Sequence, residues 1–177
     1  IAGTKNVYEL AQERLKVIFN EFDNIYVSFS GGKDSGVLLN MCIDYIRKNN
    51  LKVRLGVFHM DYEIQYKMTI DYVDRMLEAN KDILDVYRVC IPFRVATCTS
   101  MYQSFWRPWE DNKKNIWVRS MPKKAMTKDD FPFYNTTMWD YEFQMRCAHL
   151  LSDRNPYTGE FQPVEVYLYE PQIPDVS

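Results

Sequence analysis

The sequence lacks a long hydrophobic run, a leading signal segment and a strong charge of either sign. No stretch approaches the roughly 18 apolar residues of a membrane-spanning helix, and the start carries no charged-then-apolar signal. The net charge is only −2, so the surface as a whole does not attract polyanions. Any affinity for phosphate groups or nucleic acid must therefore come from a local patch, and we expect no membrane partner.

Cysteine is also sparse, and none of the four cysteines forms a CxxC pair. They stand at positions 42, 90, 98 and 147, too far apart for the thiolate spacing of an iron–sulfur cluster. Cys42 and Cys90 lie in apolar segments, which predicts reduced, buried thiols and favours a cytoplasmic location. Cys90, Cys98 and Cys147 have the residue types of a zinc site together with His149, but their spacing is not diagnostic.

The chain is long enough for one domain with a real core. It has 177 residues, of which 46% are hydrophobic, an ordinary fraction for a globular protein. We predict one domain over residues 1–150 and a C-terminal extension over 151–177. The chain begins with Ile1 and ends among prolines, so we expect the parent protein to continue beyond it.

Hydrophobic periodicity alternates between helix and strand in the first half of the chain. We predict helices over 5–22, 35–48 and 63–80, and strands over 25–29, 53–58 and 86–91. Such alternation predicts an α/β fold, with parallel strands joined by right-handed crossovers and helices on both faces of the sheet. We expect the first strand to be central and ligands to bind beyond the carboxyl ends of the strands.

The pattern weakens after Thr97, where aromatic residues are dense and no period fits. We predict an irregular, aromatic-rich C-terminal part with a short strand near 116–119 and a helix near 137–150.

The strongest local signal is the loop SGGKDS at residues 30–35, between the first strand and the second helix. Its two glycines allow positive φ angles and a close backbone approach to an anion. The amides and the dipole at the helix start favour negative charge. Lys33 adds a positive charge, and Asp34 suits either a helix cap or a bound Mg²⁺. The loop is neither a Walker A motif nor a GxGxxG motif.

In this setting the loop resembles the PP-loop ATP pyrophosphatase superfamily. Residues 27–35 (VSFSGGKDS) and 37–39 (VLL) are similar to the phosphoadenosine phosphosulfate (PAPS) reductase family, which includes the small subunit of ATP sulfurylase. Within that family the chain resembles the immunoglobulin-binding regulator A type through 58–66 (FHMDYEIQY), 116–119 (IWVR) and 131–134 (FPFY). The resemblance covers roughly residues 8–145.

The resemblance implies an adenine nucleotide alpha hydrolase-like, Rossmann-like fold that binds ATP. The implied phosphate cradle is Ser30, Gly31, Gly32, Lys33, Asp34 and Ser35. The implied adenine frame is Ser28, Phe29, Phe58 and Met60. The superfamily's usual reaction attacks the α-phosphate, transfers AMP to an acceptor and releases pyrophosphate, with Mg²⁺ bridging the phosphates. We expect the catalytic residues to be Lys33, Asp34, Asp61 and Arg119, with Asp34 and Asp61 on the metal.

One departure from the family concerns the cysteines. Reductases that act on PAPS use a cysteine near the C-terminus as their nucleophile, whereas the last cysteine here is Cys147 within MRCAH. We therefore do not expect this chain to reduce PAPS. The intact SGGKDS loop suits a pyrophosphate better than a bulky sulfonucleotide, so we favour ATP as the nucleotide.

Three polar residues after the second strand admit two interpretations each. Asp61 and Glu63 either bind Mg²⁺, a ribose or a substrate, or they cap and charge the start of the next helix. His59 either contacts the nucleotide or is a half-buried histidine with its hydrogen bonds satisfied. His149 carries a weaker functional signal.

Residues 107–128 mix seven basic residues with tryptophans. Basic charge interleaved with aromatic rings can bind phosphates and stack bases, which admits nucleic acid as a partner. The alternative is a solvated loop over an aromatic core. Arg119 is the preferred functional residue of this segment, because the family resemblance covers it.

Three functions remain open from the sequence. The chain is an ATP-dependent adenylyltransferase acting on an unknown acceptor, a sulfonucleotide binder or reductase, or a non-catalytic nucleotide sensor that regulates a partner protein. Release of pyrophosphate, release of sulfite, or binding without turnover would select among them.

Overall fold

A computed structural model describes residues 5–97 and 99–153 of the chain, with side-chain surroundings up to residue 147. The C-terminal extension expected over 151–177 lies outside the described residues except for its first three. Four α-helices and five short strands are formed in the described part: α1 (Val7–Glu21), β1 (Tyr26–Ser28), α2 (Lys33–Lys48), β2 (Leu55–Met60), α3 (Lys67–Ala79), β3 (Leu84–Val89), β4 (Val95–Ala96), β5 (Phe105–Trp106) and α4 (Asp140–Asp153).

The main sheet of the described part has three parallel strands in the order β1-β2-β3. The expectation that the first strand is central was wrong, because β2 lies between the other two. All six residues of β2 are buried, whereas β1 exposes both of its ends. A strand that is covered on both faces and paired on both sides belongs in the middle of a sheet.

Helices α2 and α3 cover one face of this sheet. Each connects two neighbouring parallel strands in the same direction, so right-handed crossovers place both on one side. Val27 and Val57 of the sheet pack there against Leu39 of α2 and Val73 of α3. Leu15 of α1 joins the same hydrophobic cluster.

The aromatic C-terminal part covers the opposite face. Phe58 and Met60 point to that side of β2. They cluster there with Val89 of β3, with Phe131, and with Phe143 of α4. Neighbouring residues of a strand face opposite ways, which is why β2 contributes to both clusters. The predicted α/β sandwich with helices on both faces is confirmed.

Helix α3 begins later than predicted. It starts at Lys67 rather than at 63, because Glu63 has a positive φ of 64° that a right-handed helix does not accept. The backbone turns tightly there, and Ile64 N–H donates to the Tyr62 carbonyl at 2.6 Å.

The strand predicted near 116–119 was also wrong. Ile116 ends a 3₁₀ helix (Asp111–Ile116), and the Val118 N–H donates to a Glu63 carboxylate oxygen instead of a neighbouring strand. Helix α4 forms close to its predicted position. Every helix in the described part of the chain is too short or too polar to cross a membrane.

Candidate functional site

The SGGKDS loop follows the carboxyl end of β1 and runs directly into α2. Gly31 has a φ of +81°, in the left-handed region that favours glycine. Gly32 is the N-cap residue of α2, and no side chain caps the helix. The amides of Lys33, Asp34 and Ser35 have no acceptor within the helix. The loop therefore presents open donors at the positive end of a 16-residue helix.

Two serines close the loop on itself. The hydroxyl oxygens of Ser30 and Ser35 lie 3.0 Å apart. The Gly32 N–H donates to Ser30 Oγ at 3.2 Å, and Ser35 Oγ donates to the Gly32 carbonyl at 3.2 Å. These bonds hold the loop in shape before any ligand arrives.

Helix α3 packs tightly behind the loop. A methyl group added at Gly31 would lie 2.7 Å from Val73 Cγ2 and 2.9 Å from Thr69 Cγ2. Non-bonded carbon atoms in proteins do not approach each other so closely. On its open side, the loop borders a cleft of about 500 Å³ that Lys33, Tyr8 and Tyr72 also line. The backbone at Gly31 is thus fixed on one side and accessible on the other.

Lys33 and Asp34 are the charged residues of the loop, and both are exposed. Within the described residues, neither forms an ion pair. No group of three or more His, Cys, Asp or Glu side chains in the described part could hold a metal ion by itself. The exposed carboxylate of Asp34 lies in the first turn of α2, and Mg²⁺ is commonly bound through one or two carboxylates together with phosphate groups of a substrate.

Strands β1 and β2 separate just before the loop. The Phe29 N–H still donates to the Phe58 carbonyl at 2.8 Å, but the paired register ends at Ser28 and Phe58. The next rung would join the Met60 N–H to the Phe29 carbonyl. That carbonyl instead lies 2.6 Å from Nδ1 of His59, and among the described residues the Met60 N–H has no acceptor.

His59 is fully buried at this point of the sheet. A carbonyl can only accept, so Nδ1 carries a proton, and Nε2 is buried without a partner in the described part. Burial lowers the pKa of His59, and the charges of Arg88 and Arg119 lower it further, against the opposing effects of the Phe29 carbonyl and Asp61. The ring is therefore neutral at neutral pH.

Asp61 follows β2, and its carboxylate is enclosed by two guanidinium groups. Arg88 Nε donates to Oδ2 at 2.9 Å, and Arg119 donates to Oδ1. Oδ1 also accepts the Glu63 N–H at 3.0 Å. A metal ion at Asp61 would have to displace these donors. The carboxylate of Asp34, by contrast, is exposed and forms no ion pair among the described residues.

Glu63 anchors a later part of the chain, residues 107–119, which we call the aromatic strap. Its buried carboxylate accepts the Trp109 N–H at 2.8 Å and the Val118 N–H at 3.0 Å. Its carbonyl accepts from Arg119 Nε at 3.1 Å. Trp109 Nε1 donates to the Asp61 carbonyl at 2.6 Å. The sequence did not predict this anchoring. Its one sequence signal is the pair of acidic residues, Asp61 and Glu63, that directly follows a buried strand.

Most of the basic residues in 107–128 are already paired. Ion pairs engage Arg107 and Lys113 with Glu110, Lys114 and Lys128 with Asp111, and Arg119 with Asp61. Lys123 and Lys124 are exposed, and within the described residues they form no ion pair. Trp109 is buried and meets Trp117 edge to face at 5.1 Å. The segment therefore offers fewer open cations and rings than its sequence suggests.

The three cysteines in the described part are free and buried. Burial raises the pKa of Cys42 to about 11 and that of Cys147 to about 12, and it also raises that of Cys90. None of these three is a ready thiolate at neutral pH. Cys98 and the side chain of His149, the other members of the zinc set considered above, lie outside the described residues.

Comparison with known proteins gives one family and one curated relative. Residues 24–129 match the family of the phosphoadenosine phosphosulfate reductase domain. The chain is 35% identical over 153 residues to the uncharacterized protein YbdN of Escherichia coli (strain K12), which covers 85% of this chain and 37% of that protein. The chain thus spans little more than a third of the relative's length. No solved structure matches.

Proposed function

The chain belongs to the phosphoadenosine phosphosulfate reductase domain family, and we propose that it binds ATP through the SGGKDS loop. The observation that carries the proposal is the uncapped start of α2 behind the left-handed Gly31. Open amides at a helix N-terminus form a ready anion site. Lys33 adds a free positive charge beside them, so the loop suits the pyrophosphate part of a nucleotide.

The adenine base is proposed to lie where β1 and β2 separate. The Met60 N–H is a donor without an acceptor among the described residues, and an unpaired backbone donor at a buried residue calls for a ligand or a water. Ser28 ends β1 and Phe29 follows it, and Phe58 and His59 lie beside them on β2. A ring nitrogen of adenine is a suitable acceptor for the Met60 N–H.

The proposed reaction transfers AMP to an acceptor. An oxygen nucleophile of the acceptor bonds to the α-phosphorus, and the bond to the bridging oxygen breaks and releases pyrophosphate. Lys33 would neutralise charge on the leaving phosphates, and Asp34 would hold Mg²⁺ beside them. Bound Mg²⁺ supplies charge stabilisation on the phosphate oxygens. Asp61 and Arg119 act in this proposal as positioning residues, because they form an ion pair with each other.

Sulfonucleotide binding is the second candidate, because the family's description names PAPS. The same amides would donate hydrogen bonds to the oxygens of its phosphate groups. Reduction has less support, because Cys42, Cys90 and Cys147 are buried and their pKa values are raised. A non-catalytic sensor acting on a partner protein or, through Lys123 and Lys124, on nucleic acid is the third candidate. The free cysteines support a cytoplasmic location in each case.

Calorimetric titration with Mg²⁺-ATP, PAPS and pyrophosphate tests the proposal. We expect ATP to bind, and Lys33→Ala to weaken that binding at least tenfold, because the charge beside the phosphates is lost. Lys52→Ala, an exposed lysine away from the loop, is the matched control. Asp34→Asn is compared with the exposed Asp23→Asn in the presence and absence of Mg²⁺.

The outcomes separate the three candidates. Release of pyrophosphate from ATP in the same samples supports adenylyl transfer, and binding without release favours the sensor. A clear preference for PAPS selects the sulfonucleotide candidate. Equal affinity of the Lys33→Ala and Lys52→Ala variants for ATP would contradict the assignment of the loop.

A further inference from the structure

The hydrogen bond between His59 and the Phe29 carbonyl replaces a rung of the parallel sheet. Along β2, alternate residues bond to opposite neighbours: the Gly56 N–H donates to the Ile25 carbonyl before β1, whereas the Asp61 N–H donates to the Val89 carbonyl of β3. The Met60 N–H therefore points to the β1 side, as the Gly56 N–H does. In a continued ladder it would meet the Phe29 carbonyl, which instead lies 2.6 Å from Nδ1 of His59.

The replacement has a geometric consequence at the sheet edge. With its carbonyl bonded to the imidazole, Phe29 is no longer paired with Met60, although its N–H still reaches the Phe58 carbonyl at 2.8 Å. The chain leaves the sheet at this residue and enters the SGGKDS loop. One side chain thus satisfies the last carbonyl of β1 and leaves a backbone donor of β2 open.

We infer that His59 is a positioning residue for the adenine base, because it holds the Phe29 carbonyl and so keeps the Met60 N–H free to bind the base. The inference rests on the proposed function, which places a nucleotide at this edge. N1 of adenine is an acceptor, whereas N1 of guanine carries a hydrogen. The open Met60 N–H therefore selects adenine over guanine.

Nε2 of His59, which has no partner among the described residues, fits this role. With Nδ1 as the donor, Nε2 is a bare acceptor, and protonating it would create a buried donor without a partner. The ring accordingly works in one tautomer and needs only the donor at its δ position. Asparagine carries a donor at nearly the same place, glutamine carries it one bond further out, and phenylalanine has none.

Amide exchange measured by NMR on the wild-type chain tests the open donor directly. We expect the Met60 amide to exchange much faster than the amides of Phe58 and Asp61 in the free protein, and to become protected by at least tenfold when ATP binds. In His59→Phe the ladder rung can form, so we expect the Met60 amide to be protected already without ATP. Protection of this amide in the free wild type, or no change with ATP, would overturn the inference.

Titrations with ATP, GTP and pyrophosphate test the effect on binding. We expect His59→Phe and His59→Gln to weaken ATP binding at least tenfold and to abolish the preference over GTP. Pyrophosphate, which lacks the base, should bind both variants within threefold of wild type. His59→Asn should restore ATP binding to within threefold, a rescue that a merely structural role of the imidazole does not explain.

The two proposals fail in different ways. If neither ATP nor pyrophosphate binds the wild-type chain, the proposed function is overturned and this inference with it. If ATP binds wild type, His59→Asn and His59→Phe with equal affinity and equal preference over GTP, this inference alone is overturned. A parallel loss of ATP and pyrophosphate binding in His59→Phe, not rescued by asparagine, also overturns it, because His59 would then only support the fold.

Discussion

Three residues with positive φ angles mark the carboxyl edge of the sheet: Gly31, Glu63 and Trp109. Gly31 adopts this conformation without strain, whereas a side chain at such a position costs about 1–2 kcal/mol. Glu63 and Trp109 bear that cost, and the hydrogen bond between them holds both in place. Local strain retained beside a proposed ligand site is typical of functional regions.

Gly31→Ala should destabilise the protein and weaken ATP binding. The φ of +81° and the contacts to Val73 and Thr69 leave no room for a methyl group, so we expect a loss of about 2–4 kcal/mol in the free energy of unfolding. Urea unfolding followed by circular dichroism measures this loss.

Gly32→Ala is the matched control for stability. Its φ of −77° is open to any residue, and its nearest contact would be Ser30 Oγ at 3.2 Å within the loop itself. We expect its free energy of unfolding to change by less than about 1 kcal/mol, the ordinary range for a substitution without strain. Equal effects of the two substitutions would show that the left-handed turn is not required.

Among the elements, the aromatic strap depends on the short loop between β2 and α3. Its backbone and side chains donate hydrogen bonds to Asp61 and Glu63 at both ends, near Trp109 and near Arg119. The 3₁₀ helix between these ends contributes no buried residue. The strap is therefore held by its anchors more than by its own packing.

Glu63→Gln should loosen the strap. The amide keeps one oxygen acceptor but turns an NH₂ group toward the second N–H donor, so one buried donor is left unpaired. We expect a loss of about 1–3 kcal/mol in the free energy of unfolding, together with faster hydrogen exchange across residues 107–119. Hydrogen–deuterium exchange with mass spectrometry locates the change.

Glu78→Gln serves as the control for this substitution. Its carboxylate is exposed, and among the described residues it forms its ion pair with Lys81, so we expect no measurable change in stability or exchange. Unchanged exchange in the strap of Glu63→Gln would indicate that packing, and not the carboxylate, holds residues 107–119.

For the whole molecule, the sheet is stabilised by two hydrophobic clusters, one on each face. The cluster on the side of α2 and α3 forms from the regular first half of the chain. The other cluster brings the aromatic C-terminal part onto β2 and β3, through Phe93, Phe131 and Phe143. The ring centroid of Phe143 lies 4.9 Å from that of Phe131 and 5.7 Å from that of Phe93.

Phe143→Ala tests whether the second cluster is part of one cooperative fold. The ring is fully buried, so we expect a loss of about 3–5 kcal/mol and a single unfolding transition at a lower urea concentration. Met145→Ala, on the same helix but 60% exposed, should have little effect. A separate early transition in Phe143→Ala would instead mean that the aromatic part unfolds independently of the sheet.

Much of the fold could be predicted because its signals are local. The 3.6-residue and two-residue periods locate the first three helices and three strands, and the glycines of SGGKDS mark the turn between β1 and α2. The same loop led to the family. The weaker half of the chain could not be predicted in this way, since its aromatic residues are spaced by the contacts they make with the sheet and not by a period of their own.

The sequence by itself determined the alternating α/β architecture, the glycine turn between β1 and α2, and the family. Only the tertiary structure placed β2 in the centre, gave the Phe29 carbonyl to His59 and enclosed Asp61 and Glu63 with donors from the strap. The physical reason is distance along the chain. His59 and Phe29 are 30 residues apart, and Glu63 and Val118 are 55 apart. Such pairs are selected by the packing of the whole fold, on which local propensity carries no information.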